Sequence, residues 1–259
     1  MQKLTTTFCL TIAVLLGSAG VSWSGDFATT LREWTPLAEQ GDARAQFNIG
    51  TMYFRGRGVP KDNKTAVKWF RLSAEEGYAN AQFSLGVMYD NGKGVPKNST
   101  SAVKWYSLAA RQGNASAPHN LGVMYRTGNG VPKDYKTALK WYRIAAERGN
   151  AGSAFTLGLM YNNGDGVSQD NKEAEKWFRL AAEQGNISAQ FNLGKMYYFG
   201  NGVQQDDVYA HMWWNIVASS GDKDAVTLKD AVSKRMTSSQ IEKAQDLARE
   251  CVHKKYKGC

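Results

Sequence analysis

Residues 74–109 read AEEGYANAQFSLGVMYDNGKGVPKNSTSAVKWYSLA, and this pattern recurs along the chain with a period of 36 residues. A tryptophan, a tyrosine and a glycine column keep that period: Trp69, Trp105, Trp141, Trp177 and Trp213; Tyr53, Tyr89, Tyr125, Tyr161 and Tyr197; Gly41, Gly77, Gly113, Gly149, Gly185 and Gly221. A fixed period of this length indicates one supersecondary unit copied in tandem, and stacked copies form a solenoid.

The first half of the quoted stretch predicts a helix from about Tyr78 to Asn91. Its apolar residues Ala81, Leu85 and Met88 follow the i, i+4, i+7 spacing of one helix face. A glycine lies inside this helix in every copy, although glycine there costs about 1 kcal/mol relative to alanine. We expect it to allow close approach of the paired helix backbone. The column is Gly50, Gly86, Gly122, Gly158 and Gly194.

The second half of the stretch predicts a second helix. Gly92 can take the left-handed conformation that ends the first helix, and Gly94 allows the tight turn that follows. Ala102, Trp105 and Ala109 again have helical spacing. An aspartate or asparagine, which is favoured as an N-cap, precedes the second helix in each copy. These residues are Asp62, Asn98, Asp134, Asp170 and Asp206.

The shared pattern A-E-x-G-x-x-x-A-Q-F-x-L-G-x-M-Y-x-x-G-x-G-V-x-x-D-x-x-x-A-x-K-W-Y closely resembles the Sel-one-like repeat family, a 36-residue relative of the tetratricopeptide repeat. The resemblance covers five copies, from Ala38 to about Ala218. It implies an all-α fold, an α/α superhelical solenoid of helix-turn-helix repeats, and a role in assembling protein complexes. We therefore expect a monomeric, non-enzymatic scaffold or adaptor that binds a protein or peptide.

The N-terminal residues differ from the repeats. Lys3 is followed by the apolar run from Phe8 to Leu16 and then by small and polar residues, which is the layout of a secretory signal peptide. The run is too short to span a bilayer, so we predict a periplasmic or secreted protein without a transmembrane segment after cleavage. The predicted organisation is a signal peptide at 1–24, an N-terminal half-repeat helix at 25–37, five repeats at 38–218, and a degenerate C-terminal capping repeat with a basic tail at 219–259.

The C-terminal segment ends in two cysteines. Residues 237–240 read TSSQ, which predicts a capping box at the start of the last helix. Cys251 and Cys259 could form a disulfide in an oxidising compartment; two free thiols or a disordered tail are the alternatives. A metal site with His253 would have three ligands and no fourth. We therefore predict neither a metal site nor a cofactor.

The chain is basic, with a formal charge of +9, or +8 without residues 1–24, whose one charged residue is Lys3. Much of the excess lies on one face of the second helices, where Lys64, Lys68 and Arg71 recur as Lys136, Lys140 and Arg143 and as Lys172, Lys176 and Arg179. One interpretation is an anionic partner such as an envelope polymer. The favoured interpretation is a solvated face on which Glu75, Glu147 and Glu183 form helical charge pairs with the arginines four residues before them. A nucleic-acid partner is not expected.

A search for catalytic residues finds none. Ser101 and Lys104 match the S-x-x-K signature of penicillin-recognising enzymes, but the serine column also holds Thr65, Thr137 and Glu173, as an ordinary repeat position would. A cysteine-rich branch of the resembled family is linked to penicillin binding and weak β-lactam hydrolysis. That branch has paired cysteines in each repeat, which this chain lacks, so such an activity is only an alternative.

Two histidines interrupt the regular columns. His119 replaces the phenylalanine of the other copies, and we expect it to be partly buried in that role. His211 is predicted to lie on the solvent face of a second helix.

The partner site is predicted on the first helices, which line the concave side in tetratricopeptide-like solenoids. One column, here called the ladder column, holds Asn48, Ser84, Asn120, Thr156 and Asn192. A second, the last-turn column, holds Arg55, Asn91, Thr127, Asn163 and Phe199. Short amides and hydroxyls can hydrogen-bond an extended peptide or a sugar backbone. The alternative is that the ladder bonds between adjacent repeats and is structural.

Overall fold

A computed structural model describes residues 27–259, and each regular element in this range is an α-helix. The predicted signal peptide lies outside the described residues. Consecutive helices pack against each other along the chain, so the all-α solenoid is confirmed. The helices are α1 Phe27–Glu39, α2 Ala43–Arg55, α3 Asn63–Glu75, α4 Ala79–Asn91, α5 Ser99–Arg111, α6 Ala117–Thr127, α7 Tyr135–Glu147, α8 Ala151–Asn163, α9 Asn171–Ala182, α10 Ile187–Phe199, α11 Asp207–Ala218, α12 Lys223–Ser233 and α13 Ser238–His253.

The predicted helix ends are confirmed. The five N-cap side chains before α3, α5, α7, α9 and α11 each accept a backbone N–H from the first turn. Gly92 ends α4 in the left-handed conformation, and its N–H donates to the Met88 carbonyl. These caps satisfy backbone groups that a helix terminus leaves unpaired. None of the helices in the described range is long and apolar enough to cross a membrane.

The core is built from one aromatic column rather than from the tryptophans that define the period. Trp69, Trp105, Trp141 and Trp177 are half-buried, and Trp213 is fully buried. The column one residue later is buried in every copy, and it contains Phe70, Tyr106, Tyr142, Phe178 and Trp214. Alanine, leucine and methionine columns of both helices surround these rings.

The glycine inside each first helix makes room for a ring rather than for a backbone. A Cβ atom on Gly86 would lie 2.7 Å from both Cδ1 and Cε1 of Tyr106. A Cβ atom on Gly50 would lie equally close to Phe70. The expectation that this glycine lets two backbones approach is therefore wrong, because the atoms that occupy the space belong to the buried aromatic side chain.

Arginine–tyrosine hydrogen bonds join successive repeats. Guanidinium groups on one second helix donate to the tyrosine hydroxyl of the next first helix: Arg71 to Tyr89 at 2.8 Å, Arg143 to Tyr161 at 2.7 Å and Arg179 to Tyr197 at 2.8 Å. The joint between the second and third repeats lacks this bond, because Ser107 occupies the arginine position before Tyr125.

The predicted pairs between these arginines and the glutamates four residues later are wrong. Among residues 29–259, Glu75, Glu147 and Glu183 form no ion pair with the arginine four residues before them. Arg179 pairs instead with Glu175. The arginines extend toward the neighbouring repeat and bind tyrosine hydroxyls there. Arg71 and Arg143 have no carboxylate partner among residues 29–259, whereas Arg179 has one in its own helix.

The C-terminal helices cover the last repeat. Both bonds of the predicted capping box at Thr237 and Gln240 are present at the start of α13. A disulfide joins Cys251 to Cys259. The tail returns to the fourth repeat, where the Gly258 N–H donates to a Glu183 carboxylate oxygen at 3.2 Å.

His211 is buried, contrary to the prediction of a solvent-facing side chain. Only 2% of its surface is exposed, and its Nδ1 has no hydrogen-bond partner in the part of the chain that the structure describes. Burial, together with the positive charge of Lys229 in α12, lowers the pKa of His211, and Asp230 opposes this shift. The prediction failed because the capping helix α12 packs on α11 and encloses a position that the repeat pattern alone leaves undecided.

Candidate functional site

The ladder and last-turn columns lie on the same face of each first helix, because seven residues are close to two helical turns. The five ladder residues are all half-buried, and the five last-turn residues are all exposed. Phe199 is 60% exposed, a high value for a large apolar side chain. We call the surface formed on α2, α4, α6, α8 and α10 by these two columns, together with the adjoining column of Phe54, Asp90, Arg126, Asn162 and Tyr198, the first-helix face.

Two ladder side chains bond within their own helix rather than between repeats. Thr156 Oγ1 donates to the Gly152 carbonyl at 2.9 Å, and Asn192 Nδ2 donates to the Ser188 carbonyl at 2.8 Å. Such bonds hold the side chain in place. The Asn192 amide keeps its Oδ1 acceptor and a second N–H for another partner.

The sequence analysis predicted only Asn120 from a group of polar side chains in the second and third repeats. This central cluster consists of Asp90, Tyr106, Asn120, Arg126 and Tyr142. Arg126 is exposed, and its Nε donates to the hydroxyl of the buried Tyr142 at 3.2 Å. Asp90 and Asn120 both lie close enough to Tyr106 to affect its ionisation.

Two features of the sequence could have revealed this cluster. The column just before the last-turn column holds a different residue in every copy: Phe54, Asp90, Arg126, Asn162 and Tyr198. The buried aromatic column carries a hydroxyl only at Tyr106 and Tyr142, sixteen residues after the two charged members. The hydroxyl and the charge therefore occur together in the same repeats.

Both tyrosines of the cluster keep their protons. Burial raises the pKa of Tyr106 to about 12, against the opposing effect of Asn120. Burial also raises the pKa of Tyr142, although Arg126 opposes the shift. Each hydroxyl therefore stays neutral and remains able to donate or accept a hydrogen bond.

His119 belongs to the same region and is half-buried, as expected for a substitute of phenylalanine. Its Nδ1 lies 2.8 Å from Ser153 Oγ in the next repeat, and its ring lies 5.8 Å from that of Tyr142. Burial and the charge of Arg126 lower its pKa. The histidine is therefore neutral at pH 7 and links α6 to α8.

The two ends of the first-helix face are aromatic. At the N-terminal end, Phe54 packs near Phe70, with ring centroids 6.5 Å apart. At the C-terminal end, the Tyr198 ring contacts Phe199 edge-on at 4.9 Å, and the Arg235 guanidinium lies 4.3 Å from the Tyr198 centroid. The face thus has charged and hydroxyl groups at its centre and aromatic rings at its ends.

The Sel1 repeat family model matches this chain at residues 43–78, 79–114, 115–150, 151–186 and 187–222. The chain belongs to the Sel1 repeat family. Each match starts with the first helix of a pair, so the ladder residue occupies the same place in all five Sel1 repeats. Sel1 repeat proteins are generally scaffolds for protein interactions.

Two solved structures support this relationship at the level of sequence and fold. A protective antigen present in uropathogenic Escherichia coli strains is 39% identical, with a TM-score of 0.76 over 85% of this chain. This chain spans about half of that antigen, 48% of its length. A Sel1 repeat protein from Oxalobacter formigenes is 33% identical, with a TM-score of 0.75, over 86% of this chain and 94% of its own. Comparison with curated proteins gave no match.

The second helices of the Sel1 repeats carry a row of lysines. Lys68, Lys104, Lys140 and Lys176 occupy the same position in four successive repeats, and all are exposed. Of these four, Lys176 alone forms an ion pair, with Glu173 at 2.9 Å. We call these four residues the lysine row; it ends where Met212 takes the position and is buried.

The two residues considered for catalysis lie near the start of α5. Ser101 lies in the first turn of α5, where its backbone N–H donates to the Asn98 N-cap at 2.9 Å. Lys104 is exposed to solvent. Within residues 27–259, no group of three or more His, Cys, Asp or Glu side chains is arranged to hold a metal ion.

Proposed function

We propose that this protein is a non-enzymatic scaffold or adaptor of the cell envelope that binds a protein or peptide through its first-helix face. The observation that carries this proposal is the repetition of the ladder and last-turn columns in five packed repeats. Apart from Phe199, the two columns give a row of exposed or half-exposed polar groups without a covering element among the described residues. An extended chain laid along that row could bond to several repeats at once.

Export to the periplasm or beyond is part of the proposal. It is supported by the order of basic, apolar and small residues in residues 1–24. The Cys251–Cys259 disulfide is also of a kind that persists in oxidising compartments. Detection of the mature N-terminus in a periplasmic or secreted fraction would test this part, and a chain that retains residues 1–24 in the cytoplasm would contradict it.

The scaffold proposal is tested by affinity capture from a bacterial envelope extract with a ladder variant and a matched control. The ladder variant carries Asn48→Leu, Asn120→Leu and Asn192→Leu, which replace each amide with an apolar side chain of the same branched shape. The control variant carries Gln112→Leu and Gln184→Leu, which remove exposed amides at the ends of second helices.

A discrete partner retained by the wild type and by the control, but lost from the ladder variant, supports binding through the first-helix face. A partner retained equally by all three proteins contradicts it. The thermal midpoint of each variant is measured first, so that loss of binding is not confused with unfolding.

An envelope polymer is a second candidate partner, favoured by the lysine row. Because three of its four members lack an acidic partner among residues 29–259, a linear polyanion could run along successive repeats. We expect the wild-type protein to co-sediment with cell-wall sacculi at low salt, and Lys68→Glu with Lys140→Glu to reduce that binding. Retention that is unaffected by salt and by both substitutions would contradict this candidate.

A further inference from the structure

We infer that the first-helix face selects an extended peptide carrying an acidic side chain that meets Arg126 and a basic side chain that meets Asp90. This inference rests on the proposed function and specifies the chemistry of the ligand. It comes from two opposite charges that lie on adjacent first helices and do not pair with each other or with any other charge in residues 29–259.

Arg126 is an exposed cation held in a fixed orientation. Its Nε donates to the Tyr142 hydroxyl, and the Tyr142 side chain is 1% exposed, so a rigid group anchors the guanidinium. The two terminal nitrogens of Arg126 have no partner among the described residues. A guanidinium presented in this way can take a carboxylate with two parallel hydrogen bonds. Because the side chain is already held in place, binding restricts it less than it would restrict a free arginine.

Asp90 is the corresponding anion, one repeat earlier in the same column. It is half-buried, and among residues 29–259 the only hydrogen bond that its carboxylate accepts is a long one of 3.4 Å from the Asn129 amide. Lys93, the nearest basic residue along the chain, extends toward the Phe54 ring at 5.9 Å instead. A partly desolvated carboxylate without a cation favours a basic group from a ligand.

The distance between the two charges sets the spacing on the peptide. The second and third repeats come close at this point, since the Asn129 amide, just after α6, donates to the Asp90 carboxylate of α4. Axes of packed helices lie about 8–10 Å apart, and an extended chain rises about 3.3 Å per residue. The acidic and basic side chains of the peptide should therefore be about three residues apart.

The other residues of the column that contains Asp90 and Arg126 limit where this face can bind a charged side chain of the peptide. These residues, Phe54, Asn162 and Tyr198, are uncharged. The charged pair is confined to the second and third repeats, whereas the exposed Phe199 ring at the C-terminal end of the face suits an apolar side chain. A peptide that fits this arrangement carries its charges in the middle and apolar residues on one or both sides.

The test is a selection from a display library of random peptides of about 12 residues against the wild-type protein. We expect the selected peptides to be enriched in an acidic and a basic residue about three positions apart. For a synthetic peptide with the selected sequence, Arg126→Glu should weaken binding by about tenfold or more. A second peptide, in which the acidic residue is replaced by lysine, should bind Arg126→Glu better than it binds the wild type.

Arg111→Glu is the matched control, because it reverses the charge of an exposed arginine on a second helix and should leave peptide affinity unchanged. One outcome would overturn this inference and leave the proposed function standing. In that outcome the selected peptides lose binding to the ladder variant, show no charge preference, and bind Arg126→Glu as tightly as the wild type. Failure to select any peptide, or binding that persists in the ladder variant, would overturn both.

Discussion

His119 Nδ1 and Ser153 Oγ lie 2.8 Å apart, and each residue replaces the one found in every other copy of its column. The histidine replaces Phe47, Phe83, Phe155 and Phe191. The serine replaces Ala45, Ala81, Ala117 and Ala189. The two departures compensate each other, since the new hydroxyl gives the half-buried imidazole a partner. The irregularity of the third repeat is therefore a polar contact shared with the fourth.

This compensation predicts that the two substitutions are coupled. Ser153→Ala should lower the free energy of unfolding by about 1 kcal/mol, because it leaves His119 Nδ1 without a partner. In a His119→Phe background, the same change should cost much less, since no nitrogen then needs a partner. Urea denaturation of the four proteins measures the coupling. Additive effects would show that the 2.8 Å contact contributes nothing to stability.

The buried histidines predict lower stability at acidic pH. The pKa of His211 is lowered in the folded state by burial and by Lys229, with Asp230 opposing, and that of His119 is lowered by burial and by Arg126. The unfolded chain therefore takes up protons first as pH falls below about 6.5, so the free energy of unfolding should decrease there. His211→Leu should flatten the dependence between pH 7.5 and pH 5. A wild-type protein equally stable at both pH values would contradict this prediction.

An aromatic ring packs against the glycine that recurs inside each first helix. Replacing that glycine with alanine should therefore destabilise the protein, whereas the same change at a helical glycine without a ring should stabilise it. Gly86→Ala would place a Cβ atom 2.7 Å from the Tyr106 ring. We expect a net loss of about 1–2 kcal/mol in the free energy of unfolding, since the strain outweighs the gain in helix propensity. Gly152→Ala meets no atom closer than 3.5 Å and should stabilise the protein by up to about 1 kcal/mol. Chemical denaturation distinguishes the two, and equal effects would argue against the packing described here.

The missing arginine–tyrosine bond predicts a stabilising substitution. Ser107→Arg places an arginine eighteen residues before Tyr125, the same spacing as in the three observed bonds. The free energy of unfolding should rise by about 0.5–1.5 kcal/mol, the usual range for one hydrogen bond. The gain should disappear when Tyr125→Phe is also present. A gain that survives Tyr125→Phe would have another origin.

The sequence was sufficient to predict the fold because one pattern repeats five times. Helical spacing, Asx N-caps and glycine C-caps agree in each copy, so local preferences and the stacked architecture favour the same structure. The capping box at Thr237 could likewise be recognised from a short motif, because its two hydrogen bonds are local.

Contacts between repeats were harder to predict. The arginine charges were assigned to glutamates on the same helix, whereas Arg71, Arg143 and Arg179 bind tyrosines eighteen residues away. His211 was placed in solvent because the repeat pattern contains no information about how α12 packs. Asp90 and Arg126 were overlooked for the same reason, since their significance depends on tyrosines contributed by a different helix.

The central claim is that a partner binds along the first-helix face, and photo-crosslinking in living cells tests it most directly. A photoreactive amino acid is introduced singly at Asn91, Thr127 or Asn163 on this face, or at Lys68, Lys104 or Lys140 in the lysine row; all six positions are exposed. The account predicts the same discrete protein adduct from the first three positions and no such adduct from the lysine row. An adduct formed from the lysine row alone would contradict it.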